Sequence, residues 1–273
     1  MDKVIADVGP LAGKTLVYSL IDSYETGEQN WTPALAQEFQ RRCGYSVRSW
    51  LPVLTGRGVE SPALSQRFRD DFRRTITDLW TENYYGYFAQ LLHERGMKSE
   101  VEAYGNGSFD DLRSSGLNDM PMSEFWFGNH DDGGLAKMAS SAAHTYGRPI
   151  VGAESFTSGN EYNFDPASLK VLGDWVFSQG VNRYYFHSYA QQMQVDGSKP
   201  GLIWSNGINL TRNLTWWNQG KDWLRYIARA ASTCCKAGAL LPTSFLIRAR
   251  TSTISREIPG RFEILRPDMT SMD

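Results

Sequence analysis

Cysteine is scarce in this 273-residue chain: three occur, and Cys43 stands far from the adjacent pair Cys234 and Cys235. That arrangement offers no paired framework and no CxxC, which excludes a disulfide-stapled scaffold and a zinc knuckle. Histidine is nearly as sparse, with four residues and no HExxH, so a zincin-type centre is excluded too. No apolar run approaches the roughly 20 residues of a membrane span. The opening Met1-Asp2-Lys3-Val4 lacks the basic and apolar regions of a signal peptide. Charge of a single sign is missing as well. A formal net charge of -2, with acids and bases interspersed, provides no field for a polyanion. Neither nucleic acid nor an anionic membrane is therefore an expected partner. The phosphate loop and the dinucleotide fingerprint are also absent.

What the chain has in excess is aromatic surface: 9 Trp, 13 Tyr and 13 Phe, in a sequence 41% hydrophobic and long enough for a full core. Most of these rings fill that core by default, and those in a cleft can stack on sugar rings.

The stretch that organises the rest is the apolar run 16–21, which ends in Asp22-Ser23-Tyr24-Glu25. Short, aromatic and closed by Gly27, it reads as a buried parallel strand delivering acids at its C-terminal end. The pattern then repeats. Thr32 with Pro33 reads as an N-cap for a helix over 33–43 that stops at Gly44, followed by a loop rich in Pro and Gly. Ser61 and Pro62 open the longest helical pattern, running to Gly96 with a charged, solvated face. A second strand over 97–104 carries Glu102 and breaks at Gly105-Asn106-Gly107, where the glycines let backbone approach a ligand closely. A polar loop to Asp119 precedes a third strand over 121–127 that embeds Glu124 beside Trp126. A carboxylate among bulky apolar residues needs a partner. After an Ala-rich helix over 135–146, the segment 148–154 reads as a fourth strand ending in Glu154. Asp165 and Pro166 cap the next helix, up to Gly180. The fifth strand, 181–187, delivers His187. A long loop containing Trp204 leads to Thr215 and a helix to about 231.

Five strand-then-helix units with no hairpin signal between them predict a parallel α/β sheet with crossover helices. Their acids, Asn106 and His187 converge on one face, the layout of a TIM barrel active site. Five units make a partial (β/α)8 barrel. The domain expected over 1–231 is followed by an irregular tail, 232–273.

Several carboxylates on one barrel face among Trp, Tyr and Asn fit glycoside hydrolysis. One acid protonates the leaving oxygen and a second carboxylate serves as base or nucleophile. Glu25 and Glu154 are the expected pair. Asp22, Asn106, Glu124, Trp126 and His187 are expected to bind substrate. Asp22 and Glu124 also offer the oxygens that calcium takes, although hydroxyl-binding acids look the same at this level.

These segments carry a resemblance. Asp22 to Glu25 with Gln29-Asn30-Trp31-Thr32, the runs 51–56 and 82–85, 149–159 and 182–187 resemble the catalytic barrel of the α-L-rhamnosidases of glycoside hydrolase family 106, over about residues 10–231. The resemblance implies a (β/α)8 barrel, an inverting mechanism and calcium dependence, with Glu25 as general acid and Glu154 as general base. Glu161, close by on the same loop, competes for the role of base. The implied substrates are rhamnose-containing oligosaccharides, polysaccharides or glycosides. The alternative is a non-catalytic carbohydrate-binding barrel, which needs the aromatics but not two strand-end acids. A barrel lyase or isomerase would want His and Lys bases, and here only His187 qualifies. The family's chains are much longer than this one. The tail departs from it: residues 239–247, read two nucleotides later, could spell an apolar run ending in Asp, so the tail is expected to be out of frame.

Overall fold

A computed structural model describes residues 1–27, 29–128, 133–159, 164–190 and 207–236. A short helix, α1 (Asp2–Val8), precedes the first of five strands. The strands are β1 (Tyr18–Ile21), β2 (Lys98–Val101), β3 (Met120–Trp126), β4 (Gly152–Thr157) and β5 (Arg183–Phe186). They form one all-parallel sheet in the order β1-β2-β3-β4-β5. Parallel neighbours in chain order each require a crossover. Between β1 and β2 it contains α2 (Leu35–Cys43), α3 (Pro62–Trp80) and α4 (Tyr87–His93). The later crossovers hold α5 (Asp111–Gly116), α6 (Gly133–Thr145) and α7 (Pro166–Ser178), and α8 (Lys221–Lys236) comes after β5. The sheet is curled. Tyr185 of β5 donates its hydroxyl to Glu100 Oε1 of β2 at 3.0 Å, reaching over the two strands between them, so the concave face closes on itself like half of a TIM-type barrel.

Local chemistry starts two helices where the sequence expects. Ser61 Oγ accepts from the Leu64 N–H with Pro62 next in line. Asp165 forms a capping box with Ser168 ahead of Pro166. Gly44 ends α2 in the left-handed region. Several expectations need correction. Thr32 does not cap α2: its carbonyl accepts from Leu35 N–H in a turn, and the helix begins after Ala34. The pattern from Ser61 to Gly96 is not one helix, because a π-helical turn, Thr81–Gly86, separates α3 from α4. The Pro- and Gly-rich loop contains a 3-10 helix, Arg48–Thr55, and the polar loop before β3 contains α5, capped by Asp110. β4 begins later than expected and runs to Thr157, so Glu154 sits within the strand and not at its end. Helix α8 extends past the expected boundary at 231. The frame of the tail beyond residue 236 lies outside the described residues.

One large packing centre backs the sheet and another joins helices beside it. Phe125, Ala153, Phe156 and Val181 meet α6, α7 and α8 on the convex side. Phe39, Phe68 and Phe72 join α2 to α3 in a separate helical core. Between them the loop after β1 is locked to the loop after β2: Tyr24 and Gly105 form a bridge, with Tyr24 N–H donating to Tyr104 O at 3.0 Å and Asn106 N–H to Tyr24 O at 2.8 Å. Gly105 is required there. Its φ is 116°, and a Cβ would lie 2.1 Å from Tyr24 O. Gly105→Ala is therefore expected to lower the thermal midpoint by about 5–10 °C, for strain on the order of 2–3 kcal/mol. Gly58→Ala, at a position with open space around it, should leave the midpoint unchanged. Equal midpoints for the two variants would refute the locking role.

Candidate active site

β1 and the loop after it bring two of the acids to the C-terminal edge of the sheet. Asp22 Oδ1 accepts from the Ser23 N–H at 2.8 Å, and Ser23 Oγ donates to Glu25 Oε1 at 2.7 Å. Both carboxylates are exposed. Alternation along the chain separates Glu25 from Tyr24, whose ring packs between Trp80 and Phe109.

The acids meet deeper in the concavity. Carboxylate oxygens of Asp22, Glu102 and Glu154 all lie within 4.8 Å of one another. Glu102, just past β2, is 1% exposed, and its Oε2 is buried without a hydrogen-bond partner among the described residues. Burial pushes this carboxyl up to about 10, reinforced by the neighbouring Asp22 and the charge of Glu154, against a smaller opposite pull from Tyr104. The Tyr104 phenol is raised by the same burial and by the charges of Glu102, Glu124 and Glu154, which places Glu124 in this field as well. One layer below, burial raises Glu100, opposed by the hydrogen bond from Tyr185 and by Arg183.

Glu154 is held by an irregularity in its own strand. Opposite Phe125 the register of β3 and β4 slips, so that Trp126 pairs with Thr157, and Phe156 takes φ 63°. In a regular strand residues three apart face opposite sides of the sheet. The bulge cancels that rule. Phe156 turns to the convex core beside Ala153, and Thr157 returns to the concave face, where its hydroxyl donates to Glu154 Oε1. His187 Nδ1 stands 3.6 Å from the same oxygen, and the two form an ion pair when the imidazole is protonated.

Of the residues expected from sequence, the geometry joins Asp22, Glu154 and His187 directly and brings Glu124 into their field. Asn106 is exposed and tied by its backbone to Tyr24, while Trp126 closes β3 at the bulge. Glu25 is not one of the three clustered acids. Asp22 and Glu124 were paired as ligands from sequence, whereas the clustered set is Asp22, Glu102 and Glu154. Glu161 and Trp204 lie outside the described residues. Sequence reasoning placed Glu102 on its strand without assigning it a role, and it overlooked Thr157. The signal for Glu102 was available: an acid close after an apolar strand, as Asp22 is after β1.

The profile of the α-L-rhamnosidases, glycoside hydrolase family 106, matches residues 1–238, and the chain belongs to that family. It is 43% identical over 228 residues to a protein of Formosa agariphila named "Putative beta-glucuronidase", covering 83% of this chain. It also matches the structure of a rhamnosidase from Novosphingobium sp. PP1Y, with a TM-score of 0.76, 36% identity and 85% of this chain covered. The chain spans 19% of the length of the first protein and 23% of the second.

A carboxyl whose pKa is higher folded than unfolded keeps its proton while the unfolded chain loses it. Its contribution to stability is full below about pH 4.5, the ordinary glutamate range, and falls as pH rises toward about 10. With chelator present, the unfolding free energy should therefore drop between pH 5 and 9, by on the order of 1 kcal/mol per unit where the effect is steepest. Glu102→Gln should flatten that slope and raise stability at pH 9. Identical slopes in urea titrations of the two proteins would contradict a protonated Glu102.

Proposed function

We propose that this chain carries the catalytic centre for hydrolysing terminal α-L-rhamnosyl linkages with inversion. Glu25 acts as general acid, Glu154 as general base, and calcium assists. The observation that carries the proposal is the gathering of Asp22, Glu102 and Glu154 on the concave edge of a half-barrel of this family, with Glu25 on the adjoining loop. In the reaction Glu25 gives its proton to the glycosidic oxygen as the bond from the anomeric carbon breaks. Glu154 takes a proton from the water that attacks that carbon from the opposite face. Free sugar and alcohol leave, and exchange with solvent returns each carboxyl to its starting state. Thr157 and His187 hold the Glu154 oxygen in place.

The donor set suits a hard cation. It consists of three carboxylates, one of which, Glu102, has a buried Oε2 with no hydrogen-bond partner among the described residues. Calcium would be held by Asp22 and Glu102, with Glu154 at its edge, and would supply positive charge for the sugar hydroxyls.

Glu25→Gln should lose at least a hundredfold in kcat/KM on rhamnosides with poor leaving groups and far less on an activated aryl rhamnoside, because protonation matters only when the leaving oxygen is basic. Glu154→Gln should damage both classes alike. Equal losses for Glu25→Gln across leaving groups would remove its role as acid. No turnover by the unmodified chain on any substrate, with calcium present, would leave sugar binding as its activity.

A chelator should abolish hydrolysis and calcium restore it, with a rise in thermal midpoint on adding calcium, since a ligand bound only by the folded state stabilises it. Full activity in excess chelator would leave the three acids as hydroxyl binders.

A further inference from the structure

A second cavity, about 440 Å³, lies on the other side of the loop that carries Glu25, between that loop, α2 and the end of α3. Its size is within the range of about 300–1,000 Å³ typical of small-molecule sites. Four aromatic side chains line it: Tyr24, Trp31, Trp80 and Tyr84. Three of these are braced against one another. Trp80 meets Tyr24 edge-on at 4.7 Å and Tyr84 at 5.3 Å, so their faces are held in fixed directions. Trp31, by contrast, is 50% exposed. The exposed amides of Asn30 and Asn83 stand beside the rings. Flat aromatic walls with amides beside them match a pyranose, whose C–H faces are apolar and whose rim carries hydroxyls.

Two departures from regular structure build this wall. The π-helical turn Thr81–Gly86 inserts one residue into the helical run and rotates the residues of α4 by about 100° about the axis. It presents Asn83 and Tyr84 to the cavity. Gly86 permits the turn, since a Cβ there would stand 3.1 Å from Thr81 O. On the facing side, Tyr24 Oη donates to Gly27 O at 2.9 Å and Trp80 Nε1 to Gln29 O at 3.3 Å, which pins the loop to the end of α3. Among the described lining residues the one charged group is Glu38, and its carboxylate is paired with Arg41 and Arg42 at 2.6 and 3.4 Å.

We infer that this cavity is a second sugar subsite for a neutral pyranose on the leaving-group side of the substrate, with Trp31 as its stacking platform and Asn83 as its hydroxyl partner. The cavity's orientation toward the leaving group rests on the role proposed for Glu25; its occupancy by a sugar does not.

The test is direct binding to the full chain, monitored by intrinsic tryptophan fluorescence and calorimetry, with methyl α-L-rhamnoside and methyl β-D-galactoside as probes. At least one of these neutral glycosides should bind saturably. Trp31→Ala should weaken the neutral probe at least tenfold, Trp31→Phe less than threefold, and Asn83→Ala several-fold. Trp31 and Asn83 are both exposed, so these changes spare the core. Methyl β-D-galactoside, which is not a substrate of the rhamnosyl centre proposed above, should bind the double variant Glu25→Gln/Glu154→Gln as it binds the unmodified chain. Three results would overturn the subsite: no saturable binding of either neutral glycoside, unchanged affinity in Trp31→Ala, or loss of binding in the double variant. Self-association in sedimentation that Trp31→Ala abolishes would assign the cavity to a second copy of the chain instead.

Discussion

The burial of Glu102 is the constraint on which the site depends. A carboxyl 1% exposed, with an oxygen that no group among the described residues satisfies, is tolerated only if it keeps its proton or faces a cation. Around it the fold sets Asp22 from one side and Glu154 from the other, at distances where three like charges cannot all persist unaided. Such an arrangement works against stability, and the two large packing centres on the convex side and between α2 and α3 offset it. Proteins place costs of this kind where chemistry or binding uses them.

The strand irregularities serve the same end. At the bulge in β4 one aromatic, Phe156, goes to the convex core and one hydroxyl, Thr157, to the Glu154 carboxylate, which alternation alone would not allow. The Gly105 bridge ties the loop after β1 to the loop after β2, so the segment bearing Asp22 and Glu25 is fixed relative to Glu102. At the π-turn a long helical run is broken once, where Asn83 and Tyr84 line a cavity. The regular elements build the scaffold, and the departures from regularity aim the side chains.

The sequence by itself determined the order of the five strands and the kind of the crossovers between them, except for α5, which read as a loop. Apolar runs closed by Gly, N-caps such as Ser61 and Asp165, and prolines at first helical positions are local signals that tertiary packing had no reason to override. It also determined that acids would collect at one edge, because parallel strands in chain order all point the same way. Tertiary structure alone decided which acids touch. Glu102, Asp22 and Glu154 are brought together by the curl of the sheet, and a period of two says nothing about curl. The bulge at Phe156, the π-turn at Thr81–Gly86 and the start of α2 after Ala34 were illegible for a related reason: each is a shift of one or two residues, settled by contacts distant in the chain. Local preference differs between such alternatives by less than the burial of one aromatic ring, so long-range packing makes the choice.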